Sequence, residues 1–161
     1  VYKRQGNPTT PEIVYGFGPS FHYKGFDFSF FFQGVAKTSL FMSGLQPFGT
    51  MMENKNVQKF IADDRWSPEN QNIFAEYPRL TIERSANNST TSTYWERNGA
   101  FLKLKNAEIG YTFKSMRLYL RGSNLLTFSK FKLWDPEQGG GNGLKYPTQR
   151  VFNIGFQMTI K

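Results

Sequence analysis

The chain has 161 residues, long enough for one globular domain with its own core, yet its composition fits a soluble domain poorly. Aromatics make up 17% of it, with 17 Phe, while the mean hydropathy is only −0.53, so polar and aromatic residues are finely interleaved. The charge of +8 comes from scattered basic residues, without the clusters of a nucleic-acid binder, and the lack of cysteine excludes disulfides and thiolate chemistry.

No apolar run approaches the ~20 residues of a transmembrane helix, so any membrane crossing must use alternating strands. Val1–Gln5 has no pattern that continues into the rest of the chain. It reads as one translated frame of a transposon-based sequencing adapter, which leaves 6–161 as the protein proper.

A strand is predicted near 12–23, with Ile13, Tyr15, Phe17, Phe21 and Tyr23 on one face and Val14, Gly16, Gly18, Ser20 and His22 on the other. Lys24-Gly25 reads as a two-residue turn. In the next strand, near 26–37, Phe26, Phe28, Phe30 and Phe32 face one way; Asp27, Ser29 and Gln33 face the other, with Phe31 among them.

Periodicity is lost over 38–98, through Pro47, Gly49, Gln71-Asn72 and the polar run Ser85 to Thr93, and a loop of this length points to function. Only Asn56–Asp64 predicts a helix there, from Val57, Phe60 and Ile61 at i, i+3, i+4 after Asn56 as N-cap.

The strand near 100–113 alternates Ala107, Ile109, Tyr111 and Phe113 with Asn106, Glu108, Gly110 and Thr112. Leu102 and Leu104 stand in the opposite phase, which predicts a bulge near Lys105 or a stretch outside the apolar band. After a short turn at Lys114-Ser115, the strand near 116–129 alternates Leu118 and Leu120 with Arg117, Tyr119 and Arg121. A second long loop, 130–147, has Gly139-Gly140-Gly141 as a flexible tip, and the last strand is placed near 149–161. There Phe152, Ile154, Phe156, Met158 and Ile160 alternate with Asn153, Gly155, Gln157, Thr159 and Lys161.

Short turns therefore alternate with long loops, as in transmembrane barrels with tight periplasmic turns and long extracellular loops. The fold class is all-β: an antiparallel transmembrane β-barrel fragment of about five C-terminal strands with two long extracellular loops. Its C-terminus is expected in the periplasm. Lipid is expected against Phe26, Phe28, Phe30, Phe32, Phe152, Ile154, Phe156, Met158 and Ile160. Bacterial barrels close at about eight strands or more, so further strands are expected upstream. The alternative is a soluble β-sandwich carbohydrate-binding module, whose two sheets would cover each other and whose strands would be short and evenly spaced.

Several motifs, in order, resemble those of one known family. Asn7-Pro8-Thr9-Thr10-Pro11 with Tyr15-Gly16-Phe17-Gly18 is similar to the family's GNPxP…YGFG segment. Tyr23-Lys24-Gly25-Phe26-Asp27 and Phe31-Phe32-Gln33-Gly34 follow. Arg65-Trp66-Ser67-Pro68-Glu69-Asn70 and Tyr77-Pro78-Arg79-Leu80 resemble its RWTPEN and YPRL segments, and Arg97 to Asn106 its RDGSFLRLKN strand. Ile109-Gly110-Tyr111, Gly122 to Phe128, Trp134-Asp135-Pro136-Glu137, Tyr146 to Arg150 and Asn153 to Phe156 complete the series. The ending Thr159-Ile160-Lys161 departs from the terminal aromatic of many outer-membrane barrels.

That family is the SusC/RagA-like TonB-dependent transporters, and the resemblance implies a bacterial outer-membrane importer of oligosaccharides or peptides. Such an importer has an N-terminal plug, takes energy from TonB through that missing part, and works with a SusD-like surface lipoprotein as lid. This chain would be part of the wall and inactive alone.

Nothing in the residues suggests an enzyme or a cofactor. His22 is the single histidine, so no His-based metal cluster or triad can be built, and it reads as a lumen-facing strand residue. The acidic pairs Asp63-Asp64 and Asp135/Glu137 lack EF-hand spacing, and no metal is assigned to them. Trp66, Trp95 and Trp134 lie in or beside the long loops. Contact with a glycan is one role for them, and anchoring the loop packing is the simpler one. Arg117, Arg121 and Glu108 are expected in a lumenal polar network against the plug.

Overall fold

Residues 6–43, 57–81 and 86–160 are described by the structure, a computed structural model. Val1–Gln5, Pro47, Gly49, Asn56 and Lys161 lie outside the described residues.

Two tight turns set the ladder. At the first, Lys24 and Gly25 both have positive φ (48° and 85°), as a type I′ turn requires to match the strand twist. It joins β2 (Ser20–Tyr23) to β3 (Phe26–Ala36). At the second, Lys114 has φ 52° and joins β6 (Phe101–Phe113) to β7 (Met116–Ser129).

β1 (Ile13–Phe17) and β2 lie end to end along β3, then β6, β7 and β8 (Val151–Met158) follow, with every pairing antiparallel. The single strand expected near 12–23 is thus broken at Gly18-Pro19. Pro19 has no N–H to give to a ladder, a loss that an edge position tolerates. Among the described residues, the β1/β2 edge and the β8 edge each pair on one side only, as in a wall cut from a larger sheet.

The phase reversal at Leu102 and Leu104 is resolved by a bulge. Phe31 pairs with Asn106 and Phe32 with Leu104, so Lys105 is the extra residue. The β6–β7 register slips at the same level, where Asn124 adopts φ 55° and donates its amide to the Gln149 carbonyl at 3.0 Å. One inserted residue flips the phase of everything beyond it. Leu104 opposite Phe32 and Ile109 opposite Phe28 therefore share a face.

That face is apolar along its whole length and uncovered: Phe152 is 65% and Ile154 81% exposed. Neighbouring rings touch across it, Phe26 with Tyr111 at 4.5 Å and Phe17 with Phe32 at 5.3 Å. No second sheet lies over it among the described residues, as a sandwich would require. No described helix is long and apolar enough to cross a membrane.

The buried apolar cluster instead sits in the loops, where Leu40, Met42, Ile61, Tyr77, Trp95 and Phe131 pack together. β4 (Ser39–Phe41) pairs with β5 (Glu96–Asn98) and closes the first loop at its base. The helix predicted over Asn56–Asp64 is shorter: α1 (Lys59–Asp63) starts after Gln58 and leaves Val57 outside it, with Ile61 as its buried residue and Phe60 and Val57 against the same cluster. A further single turn, α2, spans Ala86–Ser89.

The glycine run is not a free tip. Gly141 donates to the Phe41 carbonyl at 2.9 Å, and a side chain at Gly140 would fall 2.6 Å from that same oxygen. The backbone approaches too closely there for any residue with a Cβ.

Candidate functional site

The opposite sheet face carries the charged residues, with Phe31 and Val14 among them, and would line a lumen. Arg117 sits at its turn end. Its guanidinium donates to Asp27, with Nε to Oδ1 at 3.2 Å and Nη2 to Oδ2, and Nη2 also reaches Glu108 Oε1 at 2.7 Å. Its carbon stands 4.9 Å from the Tyr119 ring centre, a cation–π distance.

Gly110 provides the room for this network: a Cβ there would lie 2.6 Å from Asp27 Oδ2 and 2.8 Å from Arg117 Nη2. Of the three residues predicted for the network, Arg117 and Glu108 join it. Arg121 lies opposite Glu108 in the register but is exposed, and it lines a hollow with Ser20, Ser29 and Asn106. Asp27 was legible only as an inward residue, because its partner is 90 positions away. His22 pairs in register with Asp27 on this same face.

Toward the loop end, Lys103 is 1% exposed although it points into the lumen side. Its ammonium donates to Asp135 Oδ2 at 2.5 Å and Glu137 Oε2 at 2.7 Å, while Lys105, delivered by the bulge, donates to Glu137 Oε1. Two cations thus meet two carboxylates. The pairing offsets the large cost of taking an ammonium out of water.

The carboxylates are presented by the 3₁₀ turn Pro136–Gln138, which Asp135 caps by accepting from the Glu137 amide at 3.0 Å. Burial pushes both carboxyls up, but hydrogen bonds from the lysines outweigh it and hold both below their ordinary values. The acidic pair Asp135/Glu137 is therefore taken up by Lys103 and Lys105.

The predicted tryptophans have separate places. Trp95, 6% exposed, is a member of the loop core and donates from its indole to the Asn88 carbonyl at 3.0 Å. Trp134 packs against the same core, edge-on to Phe131 at 4.6 Å, and donates to the Gly139 carbonyl at 3.0 Å. Trp66 is half-buried beside Tyr77, whose carbonyl accepts its backbone N–H at 2.9 Å. The residues predicted to face lipid lie on the uncovered side of β3 and β8, with Ile160 just beyond β8 and 83% exposed.

No protein-family model matches the chain. TonB-dependent receptor P26 of Formosa agariphila is 30% identical over 96% of this chain, and receptor P3 of the same organism is 31% identical over 95%. TonB-dependent receptor SusC of Bacteroides thetaiotaomicron is 24% identical over 98%. The chain spans only 16–17% of the length of these relatives.

Among solved structures, the RagAB peptide transporter superposes with a TM-score of 0.76 at 24% identity, over 97% of this chain and 18% of the matched one. The RagAB peptide importer in its closed-closed state gives 0.72 at 24% identity. These likenesses carry the fold: an antiparallel barrel wall. The ordered motifs, the two-faced sheet and these relatives together place the chain in the SusC/RagA-like TonB-dependent receptors of the outer membrane, as a segment of a much longer protein.

Proposed function

We propose that the chain forms part of the wall of an importer that takes up oligosaccharides or peptides, with energy from TonB and a SusD-like lipoprotein as lid. The observation that carries this reading is the two-faced sheet. One face is apolar from edge to edge and the other is charged, with the tight turns at one end and the long loops at the other. Lipid would cover the first face and the lumen the second.

In this reading the turns and the C-terminus lie in the periplasm, the loops outside, and the segment conducts nothing by itself. The peptide cargo of the RagAB neighbours, together with the charged inner face, favours a polar solute passing along that side. Trp66, Trp95 and Trp134 then act chiefly as loop anchors, and the chain has no catalytic role.

The test is sided labelling of the full-length receptor in cells. Asn142→Cys should react with an impermeant maleimide in intact cells, and Ser115→Cys only after the outer membrane is opened. Labelling with the reverse sidedness would sink the topology.

A further inference from the structure

A cleft of about 260 Å³ lies between Glu76-Tyr77, Arg97-Asn98 and Lys130–Leu133. Both long loops contribute to it, at the end of the wall away from the tight turns. Its volume falls just under the ~300 Å³ where small-molecule pockets begin, which suits one residue of a longer chain rather than a whole ligand.

Its charges do not balance. Glu76 is taken up by Arg97, Oε1 to Nη2 at 2.5 Å, and Arg97 also donates to the Tyr94 carbonyl at 2.7 Å. Lys130 and Lys132 are exposed, and neither has a side-chain hydrogen bond or ion pair among the described residues. Two unpaired positive charges thus belong to residues lining a cleft whose other walls are the buried Tyr77 and Phe131 and the exposed Asn98 and Leu133. Burial pushes the Tyr77 hydroxyl up to about 12, so it adds no negative charge at neutral pH.

The aromatic rings are already engaged. Tyr77 packs on Phe60 at 5.8 Å and Phe131 on Trp134 at 4.6 Å, which leaves no open ring on which a sugar could stack. A carboxylate on a short flexible stem meets the two lysines without needing such a platform.

We propose that this cleft binds an acidic side chain, Asp or Glu, of a peptide cargo at the loop end of the wall. The proposal rests on the importer reading above and adds a charge preference to it.

The experiment uses the full-length receptor in nanodiscs and two fluorescein-labelled octapeptides that differ only in carrying two Glu or two Gln. At low salt the Glu peptide should bind about tenfold tighter, as expected of charge-complementary contacts. Lys130→Gln with Lys132→Gln should erase that difference, by weakening the Glu peptide toward the affinity of the Gln peptide. About 0.5 M salt should erase it too, by shortening the screening length.

Equal affinity for both peptides would overturn the cleft assignment while leaving the importer reading intact. So would a Glu preference that survives the double substitution. Lysine-dependent binding of an oligogalacturonate in place of the Glu peptide would overturn the peptide assignment. Failure of the receptor to bind any peptide or glycan would overturn both readings.

Discussion

The wall and the loops solve opposite burial problems within one chain. In the wall, Phe152 and Ile154 are left open although the backbone is fully laddered to β7. In the loops, Ile61 is 0% exposed and the backbone is largely irregular. Hydrogen bonding shapes the wall, while apolar packing and a few buried charges shape the loops. The difference is one of solvent. An apolar sheet face is stable where lipid replaces water, and there every backbone group must be satisfied internally. Loops in water need a core of their own.

Several substitutions in the full-length receptor would separate the two regimes. The largest effect is expected from Ile154→Arg, which places a charge mid-strand on the lipid side and should cost about 4 kcal/mol, the upper end for a bilayer midplane. Folding titrations into vesicles would measure it, and Asn153→Arg on the lumen side of the same strand should cost far less. A loss shared equally by the two variants would contradict the assignment of faces.

Ile61→Ala should cost the loop core about 3 kcal/mol by leaving a cavity. Limited proteolysis should then cut the loop faster while the wall keeps its protection.

Asp135→Asn with Glu137→Gln strands the Lys103 ammonium in its buried place and should weaken loop docking by about 2 kcal/mol. Hydrogen exchange at Gly141 and Ser43, whose amide and carbonyl contacts join the two loops, would report it. Acid should do the same. Because both carboxyls are held below their ordinary values of 3.8 and 4.5, their contribution is complete above that range. It is lost as the pH falls through the lower folded values. Loop exchange should therefore rise below about pH 4 before the wall melts.

The smallest effect belongs to Glu12→Gln. It removes a 3.7 Å pair with Lys37 whose partners are more than half exposed, and it should shift stability by less than about 0.5 kcal/mol.

Much of the wall was legible because a strand in lipid writes itself at period two. Phe26 to Phe32 and Phe152 to Met158 needed no tertiary information, while the reversed phase of Leu102 and Leu104 fitted either a bulge near Lys105 or a stretch outside the apolar band, and only the register shows the bulge. The loop core was only half visible. Val57, Phe60 and Ile61 announced a helix, but its partners Leu40, Met42, Tyr77 and Phe131 are scattered through stretches with no period. The glycine run read as a free tip, since glycine signals freedom and close approach alike. Only the Phe41 carbonyl beside Gly140 distinguishes them.

The sequence by itself determined which residues share the apolar face of the sheet, where the tight turns fall and which family the chain resembles. These come from local geometry: alternation along a strand and positive φ at a turn. Only the tertiary structure decided that the wall strand near 12–23 breaks at Pro19, that the phase of the apolar face is restored by one inserted lysine, and that the same lysine helps hold Glu137. It alone brought Lys130 and Lys132 beside Arg97 and Tyr77 to form a cleft with excess positive charge. Contacts between residues 30 to 90 positions apart depend on which strands become neighbours, and no local pattern records that choice.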